Sequence, residues 1–213
     1  MVDWVIDAVA HLGPVVVVGG TSSSNDEGGL TTIHAPAGKT FIESLSNGLA
    51  HITSESFLLV TADLPFLTKE SIDDFVARCD TTKLFNYPII PMDEARRRFP
   101  QFKRTALKIR EGEFTGGNIA LVNTALIRRS LPLMQQGYDN RKSPLKLATI
   151  VGLGTLFRLI LGKVLPGTLP IPALEKAVGK VLQGPVKAII TPYAEIGTDI
   201  DSPEQFAELE KLT

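Results

Sequence analysis

The sequence holds a single cysteine, Cys79, which excludes a disulfide framework and any multi-cysteine metal site. That usage suits a reducing cytoplasm. Neither charge is in excess: 22 Lys and Arg stand against 23 Asp and Glu, a net of −1, so the molecule as a whole is not built to bind a polyanion. Met1 to Asp7 carry two acids and no base, unlike the basic start of a secretory signal. A long charge-free apolar run is also missing. The most apolar stretch, Leu145 to Leu165, contains Lys146, Arg158, Lys163 and three glycines. A central Arg is costly in lipid, so the stretch reads as a packed helix rather than a membrane span, with an interfacial amphipathic helix as the intermediate reading. Its apolar residues exceed one narrow stripe, which suits a core or an interface with a second copy or an acceptor. No repeat and no low-complexity linker divides the chain, and 44% apolar against 21% charged residues in 213 is the composition of one folded domain.

The balanced total hides a local asymmetry. Residues 96–146 hold twelve Lys and Arg and three acids. Such a segment is either a solvated face or a cationic wall that concentrates a phosphorylated ligand. Nucleic acid fits less well, because Arg96-Arg97-Arg98 lacks interleaved aromatics for base stacking.

Hydrophobic spacing organises the first eighty residues. Val2, Val5, Ile6, Val9 and Ala10 predict a helix ended by Gly13-Pro14. Val15 to Val18 and Phe57 to Val60 are continuous apolar runs of the kind buried on both faces of a parallel sheet. A polar loop over Thr21 to Gly29 and a loop at Ala35 to Gly38 lead to a helix from Thr40 to about Thr53. Thr68 caps a further helix through about Arg78. The α-β-α-β-α order predicts an α/β fold with helices on both faces of a mostly parallel sheet. Beyond it, Pro88 to Pro91 predicts a short strand. Arg104 to Arg110 and Gly117 to Val122 predict strands flanking a turn at Glu111-Gly112-Glu113. Helices dominate from Thr124 to about Gly184, Lys187 to Ile190 is a late strand, and Pro203 to Leu212 a closing helix. The economical division is one domain, 1–213, with a helical insertion at 124–185.

Ligands of open parallel sheets bind at the carboxyl ends of the strands, which singles out three segments. Asp63 follows the strand 57–60. A carboxylate there is a natural hard-oxygen ligand for Mg²⁺, or it caps the turn at Pro65. Asp199 and Asp201 are two apart, so extended backbone points both one way; Asp201 or Ser202 also suits the N-cap of a helix opening at Pro203. Between them, Thr115-Gly116-Gly117-Asn118 is either a tight turn before a strand or a place where backbone approaches a ligand, with Asn118 offering donor and acceptor together.

Taken in order, Leu59-Val60-Thr61-Ala62-Asp63-Leu64-Pro65, Thr115-Gly116-Gly117-Asn118-Ile119-Ala120-Leu121 and Asp199-Ile200-Asp201-Ser202-Pro203-Glu204 resemble the MobA-like nucleotidyltransferases of the nucleotide-diphospho-sugar transferase superfamily. Met1 to Val9 resembles that family's first helix and Gly38 to Leu49 its second conserved stretch. The resemblance thins over about 124–185. It implies a three-layer, Rossmann-like GT-A type fold with a helix-rich C-terminal half. It also implies a Mg²⁺-dependent transfer of a nucleoside monophosphate from an NTP to a phosphorylated small-molecule acceptor, releasing pyrophosphate. Asp63 and Asp201 would be catalytic, and Asp63, Asp199 and Asp201 would hold the metal. Ser44, Thr61, Gly116, Gly117 and Asn118 would line the substrates, joined on charge alone by Lys103 and Arg104. Nucleic acid and a membrane span are not expected; a homo-oligomer through 145–165 is an added reading. The family begins with a strand and a basic, Gly-rich loop ahead of the first helix, whereas here the helix begins at Met1. Gly19-Gly20 and Gly28-Gly29 come too late in the order to substitute. Two alternatives stand beside the transferase: a non-catalytic nucleotide or nucleotide-sugar binder, and a glycosyltransferase of the same fold.

Overall fold

The computed structural model describes residues 2–20, 31–140, 169–200, 202 and 205–207. Leu145 to Leu165, Asp201, the expected polar loop Thr21 to Gly29 and most of the expected closing helix Pro203 to Leu212 lie outside the described residues.

Helix α1 (Val2–Val9) buries Val5 and Ala8 and leaves Trp4 exposed. A short 3-10 turn, Ala10–Leu12, carries the chain to Gly13 at φ +142°, a conformation glycine adopts without a Cβ penalty. Strand β1 (Val15–Val18) then pairs in parallel with β2 (Thr32–Ala35). β2 falls between the two expected loops and ends at the first residue of the second, where no strand was expected because Thr32-Ile33-His34-Ala35 is short and shows little alternation. Helix α2 (Phe41–Leu49) starts at Thr40, whose side chain accepts from the Glu43 amide. Strand β3 (Ser56–Val60) leads to α3 (Lys69–Arg78), opened by a reciprocal capping box between Thr68 and Ser71. These caps satisfy amides that the first turn of a helix otherwise leaves orphaned.

The middle holds more structure than its pattern shows. Strand β4 (Phe85–Pro91) contains the expected 88–91 strand and begins three residues earlier. Helix α4 (Met92–Arg98) has no polar N-cap, which removes the usual start signal. The hairpin is β5 (Leu107–Ile109) against β6 (Gly112–Gly116), so Gly112 and Glu113 stand in a strand and not in the turn expected at 111–113. Strand β7 (Ile119–Asn123), α5 (Thr124–Asp139), α6 (Ile171–Leu182) and β8 (Val186–Ile190) follow.

The larger sheet runs β3-β7-β4-β6-β5, and β8 pairs with β4 in parallel along its other edge. β7 is antiparallel to both β3 and β4. Consequently β3, β4, β5 and β8 run one way and β6 and β7 the other, a mixed sheet in which β4 and β8 pair in parallel and the other neighbours pair antiparallel. Its two faces explain the unbroken apolar run of β3. Leu58 and Val60 pack with Ile119 and Ile189 beneath α1 and α3, while Phe57 and Leu59 pack with Ala120 and Val122 beneath α2 and α5. A third cluster closes the end of the sheet, with Phe66, Phe99 and Phe102 in mutual ring contact at 4.6–6.1 Å beside Ile90 and Ile200.

β1 and β2 form a separate two-stranded sheet. α2 spans the gap, since a Cβ on Gly48 would lie 2.7 Å from Val18 while Leu45 and Leu49 pack on the β3 side. Among the described residues neither β1 nor β3 has a second strand partner, and Val15 to Val18 stay half-buried.

Candidate active site

The carboxyl end of β3 gathers the predicted segments. Thr61 donates its amide to the Asn118 carbonyl at 3.1 Å, drawing the end of β3 onto the turn before β7. Two residues on, the Asp63 carbonyl accepts from the Ile200 amide at 3.1 Å. The expected neighbourhood of Asp63 with the acidic segment 199–201 is therefore set by a backbone hydrogen bond; the Asp201 carboxylate itself lies outside the described residues. Asp63 Oδ1 and Thr61 Oγ1 are buried and have no hydrogen-bond partner among the described residues. A buried, unpartnered carboxylate oxygen is costly unless something binds it, and as a hard donor it suits a divalent cation. Among the described residues no cluster of three or more His, Cys, Asp or Glu forms a ready-made metal site, so a cation here would need Asp201 or a ligand oxygen as well. A cleft of about 390 Å³ adjoins the turn, lined by Trp4 and Asp7 of α1 and by Pro65, Phe66 and Lys69.

Asp199, expected beside Asp63 as a metal ligand, is engaged elsewhere. Arg104 donates Nη1 to Asp199 Oδ1 at 3.2 Å and Nη2 to the Gly116 carbonyl at 3.1 Å. Only 13% of the Arg104 side chain is exposed. The fork is packed tightly against Gly197, where a Cβ would lie 2.8 Å from Nη2. Arg104 follows α4, which packs against the 3-10 turn Ala194–Gly197 and pairs Arg98 with its Glu195.

The glycines of the 115–118 turn serve protein contacts. A Cβ on Gly116 would overlap the Tyr87 hydroxyl, and one on Gly117 would meet Pro88 and Ile196 at 2.7 and 2.9 Å. Tyr87 donates its hydroxyl to the Gly117 carbonyl at 2.7 Å. The Gly117 amide donates to Pro88 and the Asn118 amide to Ile196. Both glycine carbonyls are thus held by side chains, one by Arg104 and one by Tyr87. Burial raises the Tyr87 phenol above its ordinary value, although nearby Arg104 opposes the shift, so the hydroxyl remains a donor. Tyr87 and Gly197 were not among the sequence candidates. Their roles come from contacts across the sheet, which neither a tyrosine within an apolar strand nor a glycine ahead of Thr198-Asp199 announces in the sequence.

Ser44 lies in the first turn of α2, where its hydroxyl accepts from the Gly38 amide at 2.9 Å. No hydrogen bond among the described residues links it to Asp63. Lys103 is exposed. The basic segment is largely occupied: Arg96 pairs with Glu113 at 2.9 Å, Arg97 with Glu94, and Arg98 with Glu195 at 3.0 Å. Arg128 donates to the Leu49 and Ile52 carbonyls, and Arg129 to that of Gln183. Burial pushes the Cys79 thiol up to about 12, which makes it a poor nucleophile. No described helix is long and apolar enough to cross a membrane.

A mixed sheet between two helical layers, with an acidic turn at the end of β3, defines the nucleotide-diphospho-sugar transferase fold. Residues 1–137 match the model of the MobA-like NTP transferase domain, and the chain belongs to that family. It is similar to a hypothetical transferase structure from Thermus thermophilus, at 35% identity and TM-score 0.80 over 96% of this chain and 84% of that one. Two more distant structures share the fold at TM-score 0.55. One is a 2-C-methyl-D-erythritol 4-phosphate cytidylyltransferase, also from Thermus thermophilus, at 14% identity, covering 99% of this chain and 87% of that one. The other is a CMP:2-keto-3-deoxy-manno-octonic acid synthetase complexed with CTP, at 10% identity, covering 99% and 86%. No curated protein matches the chain.

Proposed function

We infer that the protein transfers a nucleoside monophosphate from an NTP to a phosphorylated small molecule, releasing pyrophosphate in a Mg²⁺-dependent reaction. The observation that carries this reading is the buried, unpartnered Asp63 Oδ1 beside the backbone bond from Ile200. The family match and a cytidylyltransferase of the same fold, whose name includes a phosphorylated substrate, support the choice of reaction.

Asp63 and Asp201 are the residues that would hold the ion. When bound, Mg²⁺ neutralises charge on the nucleotide phosphates. The chain's own part is positioning. Asp63 is fixed by the turn that Ile200 secures, and the 115–118 turn supplies a rigid wall at the same strand end for the acceptor. An acceptor oxygen attacks the α-phosphorus in line, one P–O bond forms, and the bond to the pyrophosphate leaving group breaks.

The test is pyrophosphate release from each of the four common NTPs with Mg²⁺ and a panel of sugar and polyol phosphates. Turnover that disappears with chelator and in Asp63→Asn supports the reading. Tight NTP binding without pyrophosphate release under any combination would favour a non-catalytic binder. Free nucleoside diphosphate from a sugar nucleotide would instead point to a glycosyltransferase.

A further inference from the structure

We propose that Arg104 is a positioning residue, a latch that withdraws Asp199 from metal binding and locks the Gly116-Gly117 turn against the acidic segment. This deepens the transferase reading and rests on it. Sequence charge would make Arg104 an anion contact, and the family resemblance makes Asp199 a metal ligand. The geometry assigns both differently.

Three observations converge. The Arg104 guanidinium is nearly buried and spans two segments, Asp199 on one side and the Gly116 carbonyl on the other. A planar fork suits such a two-point grip, which a Lys ammonium cannot reproduce. Next, Gly197 lacks a Cβ where Arg104 Nη2 passes, so the arginine has a seat shaped for it. Finally, Asp63 Oδ1 at the same strand end has no partner among the described residues. One carboxylate is therefore spent on an arginine and the other is open. A partly buried charge pair of this kind gives register more dependably than net stability. Here the register is that of the turn 115–118 relative to 199–200, the spacing between acceptor wall and Asp63.

The experiment compares Arg104→Met, Arg104→Lys, Asp199→Asn and Asp63→Asn in the full chain. Mn²⁺ affinity, read by water-proton relaxation, should fall about tenfold or more in Asp63→Asn, as for loss of a ligand, and stay near wild type in Asp199→Asn. Backbone amide exchange at Gly117 and Asn118 should quicken about tenfold in both Arg104 variants and in Asp199→Asn. In the pyrophosphate assay, both Arg104 variants should lower kcat by about tenfold or more and leave KM for the NTP unchanged. Lys should not rescue.

Equal loss of Mn²⁺ affinity in Asp199→Asn and Asp63→Asn would make Asp199 a ligand and overturn the latch. So would a raised NTP KM in Arg104→Met that Arg104→Lys restores, which is the mark of a phosphate contact. Unchanged Mn²⁺ affinity in Asp63→Asn would instead remove the metal from the proposed function, and the exchange rates at Gly117 and Asn118 would then decide the latch by themselves.

Discussion

An oxygen buried without a partner is a stability cost that a ligand can recover. Thr61 Oγ1 and Asp63 Oδ1 are two such atoms at one strand end. Replacing the hydroxyl by a methyl in Thr61→Val should therefore raise unfolding stability by about 1 kcal/mol, read as a higher urea midpoint at constant slope. A lower midpoint would mean that the hydroxyl is satisfied in solution. Cys79 supplies a second test at this scale. Its thiol is held near 12 by burial, against an ordinary 9, so the protonated native form is favoured. The stability it contributes is complete below pH 9 and is lost as pH rises from 9 towards 12. At pH 8 a disulfide reagent should label native protein slowly and urea-unfolded protein at once.

Elements are fixed by their ends and by their closest approaches. The Thr68 and Ser71 capping box opens α3, whose Ile72 and Phe75 are fully buried in the core under α1. Thr68→Ala should cost about 1 kcal/mol, measured by thermal or urea unfolding. The approach of the Gly116 turn to β4 is tighter. Gly116→Ala places a methyl on the Tyr87 hydroxyl, and overpacking of this kind costs about 1–3 kcal/mol. Adding Tyr87→Phe removes the clashing atom together with the bond to the Gly117 carbonyl. The double variant should accordingly be less destabilised than the two single changes summed. Strict additivity in a double-mutant cycle would show that the glycine is required for another reason.

At the scale of the molecule, the feature that stands apart is the separation of β1 from β3. Both are apolar strands under α2, and each has an edge without a strand partner among the described residues. Exposed apolar edges recruit strands. The amides of β1, paired along one edge, should therefore exchange with solvent faster than those of β7, which is paired along both. Hydrogen exchange read residue by residue measures the difference, and equal protection would show that the free edge of β1 is covered.

Much of this arrangement could be read from residue pattern. The Val15–Val18 and Phe57–Val60 runs, the Gly13-Pro14 break and the Thr40 and Thr68 caps are local signals, and each marks an element that forms where its pattern predicts. Asp63 was legible because a polar residue directly after a buried apolar run must sit at a strand end. Three elements were hidden. β2 is too short to show a period, α4 lacks a capping side chain, and β6 was masked by the turn residues around Gly112 and Gly116.

Residue pattern sufficed for the alternation of helices and strands, the covering of both sheet faces and the choice of three segments that meet at the end of β3, because periodicity, capping and strand-end polarity act over a few residues. Only the tertiary structure decided the partners. Whether an aspartate meets a cation or an arginine depends on which loop passes overhead, and that follows from the order of strands in the sheet. Hence Asp63, Asp199 and Arg104, alike as charged residues in a sequence, separate in the fold into one open oxygen and one closed pair. The glycines at 116 and 117 likewise could have faced a ligand or the protein, and the position of β4 beside β6 turned them towards Tyr87 and Pro88.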